Sequence, residues 1–122
     1  MGSMDDILRR SLLFDFYGEL LTEHQQRIYE AVVLNDTGYS EVAAAEGISR
    51  QGVHDLINRT DKILENYEQK LHLVERFLRT KNQIQEIREA SLLACGLCAE
   101  NSAQRQHLER IIELTDQLMD EL

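Results

Sequence analysis

The segment 38–59 constrains the fold more than any other part of this chain, because it places two short helices on either side of a glycine turn. Its first half is rich in alanine, and Ser40 is expected to cap the helix that begins there. Gly47 stands where a helix commonly ends in a left-handed residue, a conformation that glycine adopts without steric cost. Ile48 follows as an apolar plug. The first half therefore predicts a short helix that ends in a tight turn.

The second half of this segment has the pattern of a longer, capped helix. Ser49 is expected to be its N-cap, and Val53, Leu56 and Ile57 recur at the spacing of one helical face. The pattern continues to about Asn66. Two such helices around a tight turn form a helix-turn-helix, in which the second helix is the recognition helix.

The rest of the chain is also predicted to be helical. Its 122 residues include no proline and no tryptophan, and apolar residues recur every three or four positions instead of alternating. We therefore predict an all-α fold, with a helix-turn-helix domain at 4–78 and a C-terminal extension of amphipathic helices at 79–122. Residues 1–3 have the form of an expression scar and are left out of the fold prediction.

Local signals before the helix-turn-helix indicate two helices. The first is expected to begin at 5–6 and to end near 18–21. Thr22 and Gln25 have the spacing of a capping box, in which each side chain accepts a backbone hydrogen bond of the other residue. We expect the second helix to begin there.

Signals after the recognition helix are less decisive. The helix either continues unbroken or bends within 69–73. A second capping-box pattern at 80–83 predicts a new helix start, and a break is expected near Gly96 or at 101–102. The last helix has an apolar stripe from Leu108 to Leu122, which either folds back on the domain or pairs with another copy. We favour a homodimer.

The charge balance argues against a nucleic-acid partner. The formal net charge is −9, and within 40–67 only three cations stand against five carboxylates. Nucleic-acid-binding proteins usually present a basic face to the phosphates. The chain has no apolar run near the roughly 20 residues of a membrane span and no signal-peptide pattern, so we expect a cytoplasmic protein that does not associate with membranes.

Cys95 and Cys98 form a single CxxC pair, for which three interpretations exist. A redox pair normally lies between a strand and a helix, and no strand is expected here. A zinc site needs two more ligands, and His72 and His107 are the only nearby candidates. We favour the third interpretation, two small core residues on one helical face, and expect no metal or cofactor. No phosphate loop or nucleophile motif is present, so we do not expect an enzyme.

The recognition helix is the remaining functional candidate. Arginine and glutamine can make bidentate contacts with guanine and adenine edges in the major groove, whereas other cations on the helix would meet phosphates. The predicted nucleic-acid-binding residues are Ser49, Arg50, Gln51, His54, Asn58, Arg59 and Lys62. The alternative is that the helix-turn-helix is only a packing module with a mixed-charge surface.

Several sequence elements resemble the YlxM-like family of small bacterial proteins. The resemblance rests on LFDFYGELLT at 13–22, ISRQGVHD at 48–55 and LENYEQKL at 64–71, and it covers roughly 12–77. It implies a helix-turn-helix similar to the promoter-recognising region 4 of sigma factors. It also implies that the Ser-Arg-Gln sequence at 49–51 begins the recognition helix.

The resemblance further implies a regulatory protein connected with the signal recognition particle. DNA, the RNA of the particle and the targeting GTPase are then the partners to consider. We expect a nucleic-acid-binding regulator. The alternative is a protein-interaction adaptor whose helix-turn-helix does not bind nucleic acid, which the net charge and the apolar C-terminal helix would suit.

Overall fold

Short turns and capped ends divide the chain into helices. The structure, a computed structural model, describes residues 4–122. Its α-helices are α1 at Met4–Tyr17, α2 at Glu23–Tyr29, α3 at Tyr39–Glu46, α4 at Arg50–Leu71, α5 at Leu73–Gly96 and α6 at Ala103–Glu121. A 3-10 turn follows α1, and a π-helical turn at Glu30–Leu34 extends α2. No strand occurs in this range, so the all-α prediction is confirmed.

Two of the predicted helix starts are confirmed by their hydrogen bonds. The Gln25 N–H donates to Thr22 Oγ1 at 3.1 Å and the Thr22 N–H donates to Gln25 Oε1 at 3.0 Å, which is a complete capping box. The Gly52 N–H donates to Ser49 Oγ at 2.9 Å at the start of α4. The turn between α3 and α4 is also as predicted, since Gly47 has a φ of 70°.

The predicted cap at Ser40 is wrong. α3 begins at Tyr39, two residues earlier than a cap at Ser40 implies; Gly38 is its N-cap, and no side chain makes a capping hydrogen bond there. The Val42 N–H donates to the Gly38 carbonyl at 3.0 Å, so Ser40 lies within the first turn. The ring of Tyr39 stacks on His54 of α4, and this contact favours a helix that includes Tyr39.

The predicted helix start at 80–83 is also wrong, because these residues lie inside α5. The buried positions Ile84 and Ser91 are seven residues apart, which keeps one helical face continuous through the region. The interruption occurs earlier, at His72, which has a left-handed φ of 56° and donates its N–H to the Glu68 carbonyl at 2.8 Å. The sequence left open whether the helix is unbroken or bends within 69–73, and the structure shows the interruption within 69–73.

The chain divides into two compact units, one that ends at Val74 and one that spans Glu75–Leu122. The first unit contains a single apolar core to which α1, α2, α3 and α4 all contribute. Val53, Leu56 and Ile57 were predicted to face the core: Val53 and Ile57 are 0% and 2% exposed, and Leu56 is partly buried against the same core. The largest fully buried side chains of this unit are Tyr17, Tyr29, Ile28, Ile57, Leu64, Val53, Val74 and Thr60.

The second unit consists mainly of α5 and α6. Arg88 Nε donates to Asp116 Oδ1 at 2.7 Å and joins the two helices. The predicted break between them is confirmed: α5 ends at Gly96, and Ser102 caps α6 by accepting from the Arg105 N–H at 3.1 Å. Over residues 4–122, none of the helices has the length and apolarity that crossing a bilayer demands.

Candidate nucleic-acid interface

The recognition helix α4 presents an exposed polar surface next to its capped start. Ser49 and Arg50 are exposed at the first turn, and Asn58, Arg59 and Lys62 are exposed further along. Within residues 4–122, Arg50, Arg59 and Lys62 form no ion pair. These three cations are therefore available to an external anion. The Ser49 hydroxyl already accepts the capping hydrogen bond, so its first role is to hold the helix start in place.

Gln51 is exposed but has a partner within its own helix. Its Nε2 donates to Asp55 Oδ1 at 3.0 Å, one turn further along. Both side chains are exposed, so the bond competes with water and is readily exchanged for another partner. The amide of Gln51 can therefore reach a base edge at the cost of one weak hydrogen bond.

His54 lies at the junction of α3 and α4. Its ring stacks on Tyr39 with a centroid distance of 3.9 Å and an interplanar angle of 6°, and both residues are half-buried. The stack fixes the ring orientation and leaves only part of it exposed. Among the predicted contact residues, His54 therefore has the clearest structural role inside the protein.

Three arginines from α1 and α2 neutralise carboxylates of the helix-turn-helix. Each pair has two hydrogen bonds: Arg9 with Glu65 at 2.8 and 2.7 Å, Arg10 with Asp61 at 3.1 and 2.6 Å, and Arg27 with Glu46 at 2.9 and 2.6 Å. These hydrogen bonds raise the pKa of each arginine above its usual value. The Arg27 pair lowers the pKa of the Glu46 carboxyl, so this carboxylate stays charged and paired.

The pairing reverses the charge balance inferred from the linear segment. Of the five carboxylates within 40–67, three are the partners just described, which leaves Glu41 and Asp55. The three cations of the segment, Arg50, Arg59 and Lys62, thus face only these two carboxylates without an arginine partner. The overall charge of −9 is consequently a poor measure of the field at α4, because the field depends on nearby charges.

Asp61 is held by two different side chains. Besides the Arg10 pair, its Oδ1 accepts from the Tyr29 hydroxyl at 2.6 Å. Burial, and then the hydrogen bond to Asp61, raise the pKa of Tyr29, so the hydroxyl remains a donor over the physiological range. A carboxylate with these partners repels an approaching phosphate less than a free one would.

The two cysteines are free thiols and do not share one helical face. Cys95 is buried in α5, whereas Cys98 is half-buried and lies beyond the last residue of that helix. Across the part of the chain that the structure describes, no histidine or carboxylate joins the two thiols in a group of three ligand atoms. The arrangement supports packing for Cys95.

Sequence reasoning missed the ion pairs and the ring stack. The partners of the three pairs are separated by 19 to 56 positions along the chain, so no local pattern connects them. The one available signal was the Arg9-Arg10 pair in an otherwise apolar stretch of α1, which called for acidic partners.

Comparisons with known proteins agree with the helix-turn-helix. A family model described as "Putative helix-turn-helix protein, YlxM / p13 like" matches residues 4–111 and thus continues into α6, beyond the 12–77 of the sequence resemblance. A UPF0122 protein of Symbiobacterium thermophilum is 47% identical over 87 residues, covering 71% of this chain and 81% of that protein. A relative from Caldanaerobacter subterraneus subsp. tengcongensis is 45% identical over 85 residues, with 70% and 73% covered. One from Shouchella clausii is 44% identical over 87 residues, with 71% and 80% covered.

Proposed function

This chain belongs to the UPF0122 family of YlxM/p13-like helix-turn-helix proteins, and we propose that it is a nucleic-acid-binding regulatory protein of the signal recognition particle pathway. It acts by binding and not by catalysis, and it works in the cytoplasm. The contact surface is the exposed side of α4. Arg50 and Gln51 read base edges, while Arg59 and Lys62 hold phosphates.

One observation carries the proposal: the three exposed cations of α4 have no ion pair, whereas three of the five carboxylates within 40–67 are paired with arginines from α1 and α2. Arg50, Arg59 and Lys62 are therefore free to meet an external anion. Contacts from these cations to phosphates release counterions, which supplies much of the affinity of nucleic-acid binding.

The shape of α4 favours duplex DNA over duplex RNA. The major groove of B-DNA admits an α-helix, and a recognition helix reads it from its N-terminal residues. The major groove of an RNA helix is too narrow for side chains to read. Ser49, Arg50 and Gln51 stand at that N-terminal end. RNA of the particle would have to offer loops or unpaired bases instead.

The connection with the signal recognition particle rests on the family resemblance. It suggests two nucleic acids for a test, namely DNA upstream of the protein's own operon and RNA of the particle. Fluorescence anisotropy in a salt series separates phosphate contacts from other interactions. The logarithm of the binding constant falls linearly with the logarithm of the salt concentration, with a slope of about 0.9 per neutralised B-DNA phosphate.

The Arg50→Ala/Arg59→Ala double variant tests the surface. We expect at least a tenfold loss of affinity and a salt slope that is shallower by about one, because Arg59 is the phosphate contact of the pair. Arg76→Ala/Arg79→Ala removes the same charge from α5 and is the matched control. Unchanged binding in the α4 variant, or no binding of wild-type protein to either nucleic acid at low salt, would refute the proposal.

A second candidate is an adaptor that binds the targeting GTPase. Ile7, Leu8 and Leu20 of the first unit are 50%, 57% and 57% exposed, and exposed apolar side chains of this size favour protein contacts. A pull-down from nuclease-treated extract distinguishes the two candidates. Retention of the GTPase supports the adaptor, and loss of every partner excludes it.

A further inference from the structure

The second unit buries few apolar side chains. Of its described residues, only Ile84, Ser91, Cys95 and Thr115 are buried, and two of these are polar. Thr115 satisfies its hydroxyl locally by donating to the Ile112 carbonyl at 2.7 Å. Two helices can cover only one face of each other, so the remaining apolar side chains of α5 and α6 stay in contact with water.

Several of these exposed side chains form a stripe along α6. Ile111, Leu114, Leu118 and Leu122 are 38%, 42%, 47% and 48% exposed, and their spacing of three and four residues places them on one side of the helix. The opposite side carries polar residues. This stripe is distinct from the buried position Thr115, which packs within the unit.

The Arg88–Asp116 ion pair shows which side of α5 lies beside the stripe. Successive residues of a helix are rotated by about 100°, so Ile87 and Arg88 lie on opposite flanks of α5 with the buried Ile84 between them. Asp116 and Leu118 flank the buried side of α6 in the same way. Since α5 and α6 are antiparallel and the ion pair occupies one flank, Ile87, which is 50% exposed, shares the other flank with the stripe.

We infer that this apolar face (Ile87, Ile111, Leu114, Leu118 and Leu122) binds a second copy of the chain to form an antiparallel four-helix bundle. The apolar face belongs to the second unit and the α4 surface to the first, so the inferred dimer does not rest on the proposed nucleic-acid binding.

The size of the apolar face fits a dimer of moderate affinity. The 19 residues of α6 extend about 28 Å, and two packed helices are about 20 Å wide. Each copy then contributes roughly 500 Å², or about 1,000 Å² in total, which is near the lower limit of a specific interface. We therefore expect a dissociation constant in the micromolar range.

Charges at the two ends of the stripe favour a second copy as the occupant. Arg110 and Glu121 are eleven positions apart, just over three full turns, and so lie on the same side of α6 at opposite ends of the stripe. A two-fold axis with antiparallel α6 helices brings Arg110 of each copy opposite Glu121 of the other. The existing Arg110–Glu113 bond of 3.0 Å is between exposed groups and is easily exchanged.

Sedimentation equilibrium of the full chain over a micromolar concentration series tests the dimer. We expect wild-type protein to dimerise and Leu114→Glu/Leu118→Glu to raise the dissociation constant at least tenfold. Leu93→Glu/Leu97→Glu is the control, since Leu93 and Leu97 are 75% and 90% exposed and lie away from the apolar face. A wild-type monomer throughout the series, or an equal loss in the control, would overturn the inference.

A charge exchange tests the antiparallel arrangement. It also keeps the inference testable if the leucine variants do not fold. Arg110→Glu and Glu121→Arg should each weaken the dimer, and the double variant should restore it, because both charges then change together. Circular dichroism confirms that each protein is helical. If both single variants lose dimerisation and the double variant does not recover it, the proposed pairing is overturned. It is also overturned if the chain is monomeric and binds a different protein through this face.

Discussion

The Arg27 guanidinium makes two hydrogen bonds with the Glu46 carboxylate, from Nε to Oε2 at 2.9 Å and from Nη2 to Oε1 at 2.6 Å. Glu46 is the last residue of α3, and Arg27 belongs to α2. The pair therefore connects the helix-turn-helix to the helix before it. It also removes an unpaired negative charge from the end of α3, next to the turn that leads into α4.

Replacing Arg27 should weaken nucleic-acid binding although the residue lies outside the helix-turn-helix. In Arg27→Gln the Glu46 carboxylate loses its arginine partner and repels the phosphates, so we expect affinity at low salt to fall roughly fivefold and the difference to shrink as salt is added. Anisotropy titrations at several salt concentrations measure this. Arg79→Gln, which removes an exposed arginine paired with Glu75, should bind like wild type. Equal affinities for both variants would contradict the role assigned to Arg27.

The same ion pair predicts a loss of stability in acid. The Arg27 hydrogen bond holds the pKa of Glu46 below the usual 4.5 in the folded protein. A depressed folded-state pKa stabilises the fold fully above the unfolded-state value, and the contribution disappears as the pH falls through the folded-state value. Urea midpoints should therefore drop below pH 4.5, and they should drop less in Arg27→Gln. An identical acid dependence in the two proteins would show that the pair is not responsible.

The helix cap at Ser49 should matter more than the nearby Ser40. Ser49→Ala removes the acceptor of the Gly52 N–H, and loss of an N-cap costs about 1 kcal/mol. Ser40→Ala removes a hydroxyl from the first turn of α3, where no side chain makes a capping bond, so its free energy of unfolding should stay within about 0.5 kcal/mol of wild type. Urea denaturation gives both values. The reverse order would mean that Ser40 is the stronger cap after all.

A buried tyrosine hydroxyl joins α1 to the end of α4. Tyr17 Oη donates to Glu68 Oε1 at 2.5 Å and accepts from the Leu73 N–H at 3.1 Å. Tyr17→Phe removes both hydrogen bonds, which deprives the Leu73 N–H of its acceptor and leaves Glu68 Oε1 with the Val74 N–H as donor, and it should lower the free energy of unfolding by about 1–3 kcal/mol. Tyr67→Phe is the control, because that half-buried residue packs its ring against Tyr17 with a centroid distance of 5.9 Å, and its hydroxyl makes no hydrogen bond to the described residues. Similar free energies of unfolding for the two variants would argue against a stabilising role of the Tyr17 hydroxyl.

The sequence was sufficient to predict those structural features that depend on residues close together in the chain. The cap at Ser49, the capping box at Thr22 and the left-handed Gly47 each involve atoms within four residues, and all three were predicted. The N-cap was misassigned to Ser40 because the local sequence looks the same whether a serine is the N-cap itself or stands two residues after it. Tyr39, which decides between them, acts through a stack with His54 in another helix.

Which residues of α4 are buried and which are exposed could be predicted from the sequence, but the local charge could not. Helical periodicity correctly placed Val53 and Ile57 inside, and Arg59 and Lys62 are exposed as expected. The local field could not be obtained in this way, because it depends on which distant arginines reach which carboxylates. A count along 40–67 gave a net negative segment for this reason alone.

The three bidentate pairs imply that the helix-turn-helix of this protein cannot be moved to another protein without changing the charge around it. A chimera that carried only α3 and α4 on a foreign scaffold would keep Glu46, Asp61 and Glu65 but leave their arginines behind. It would present the same α4 side chains with an excess of three negative charges nearby. Relatives with a different residue in place of any of these arginines should carry a compensating neutral residue at the matching carboxylate.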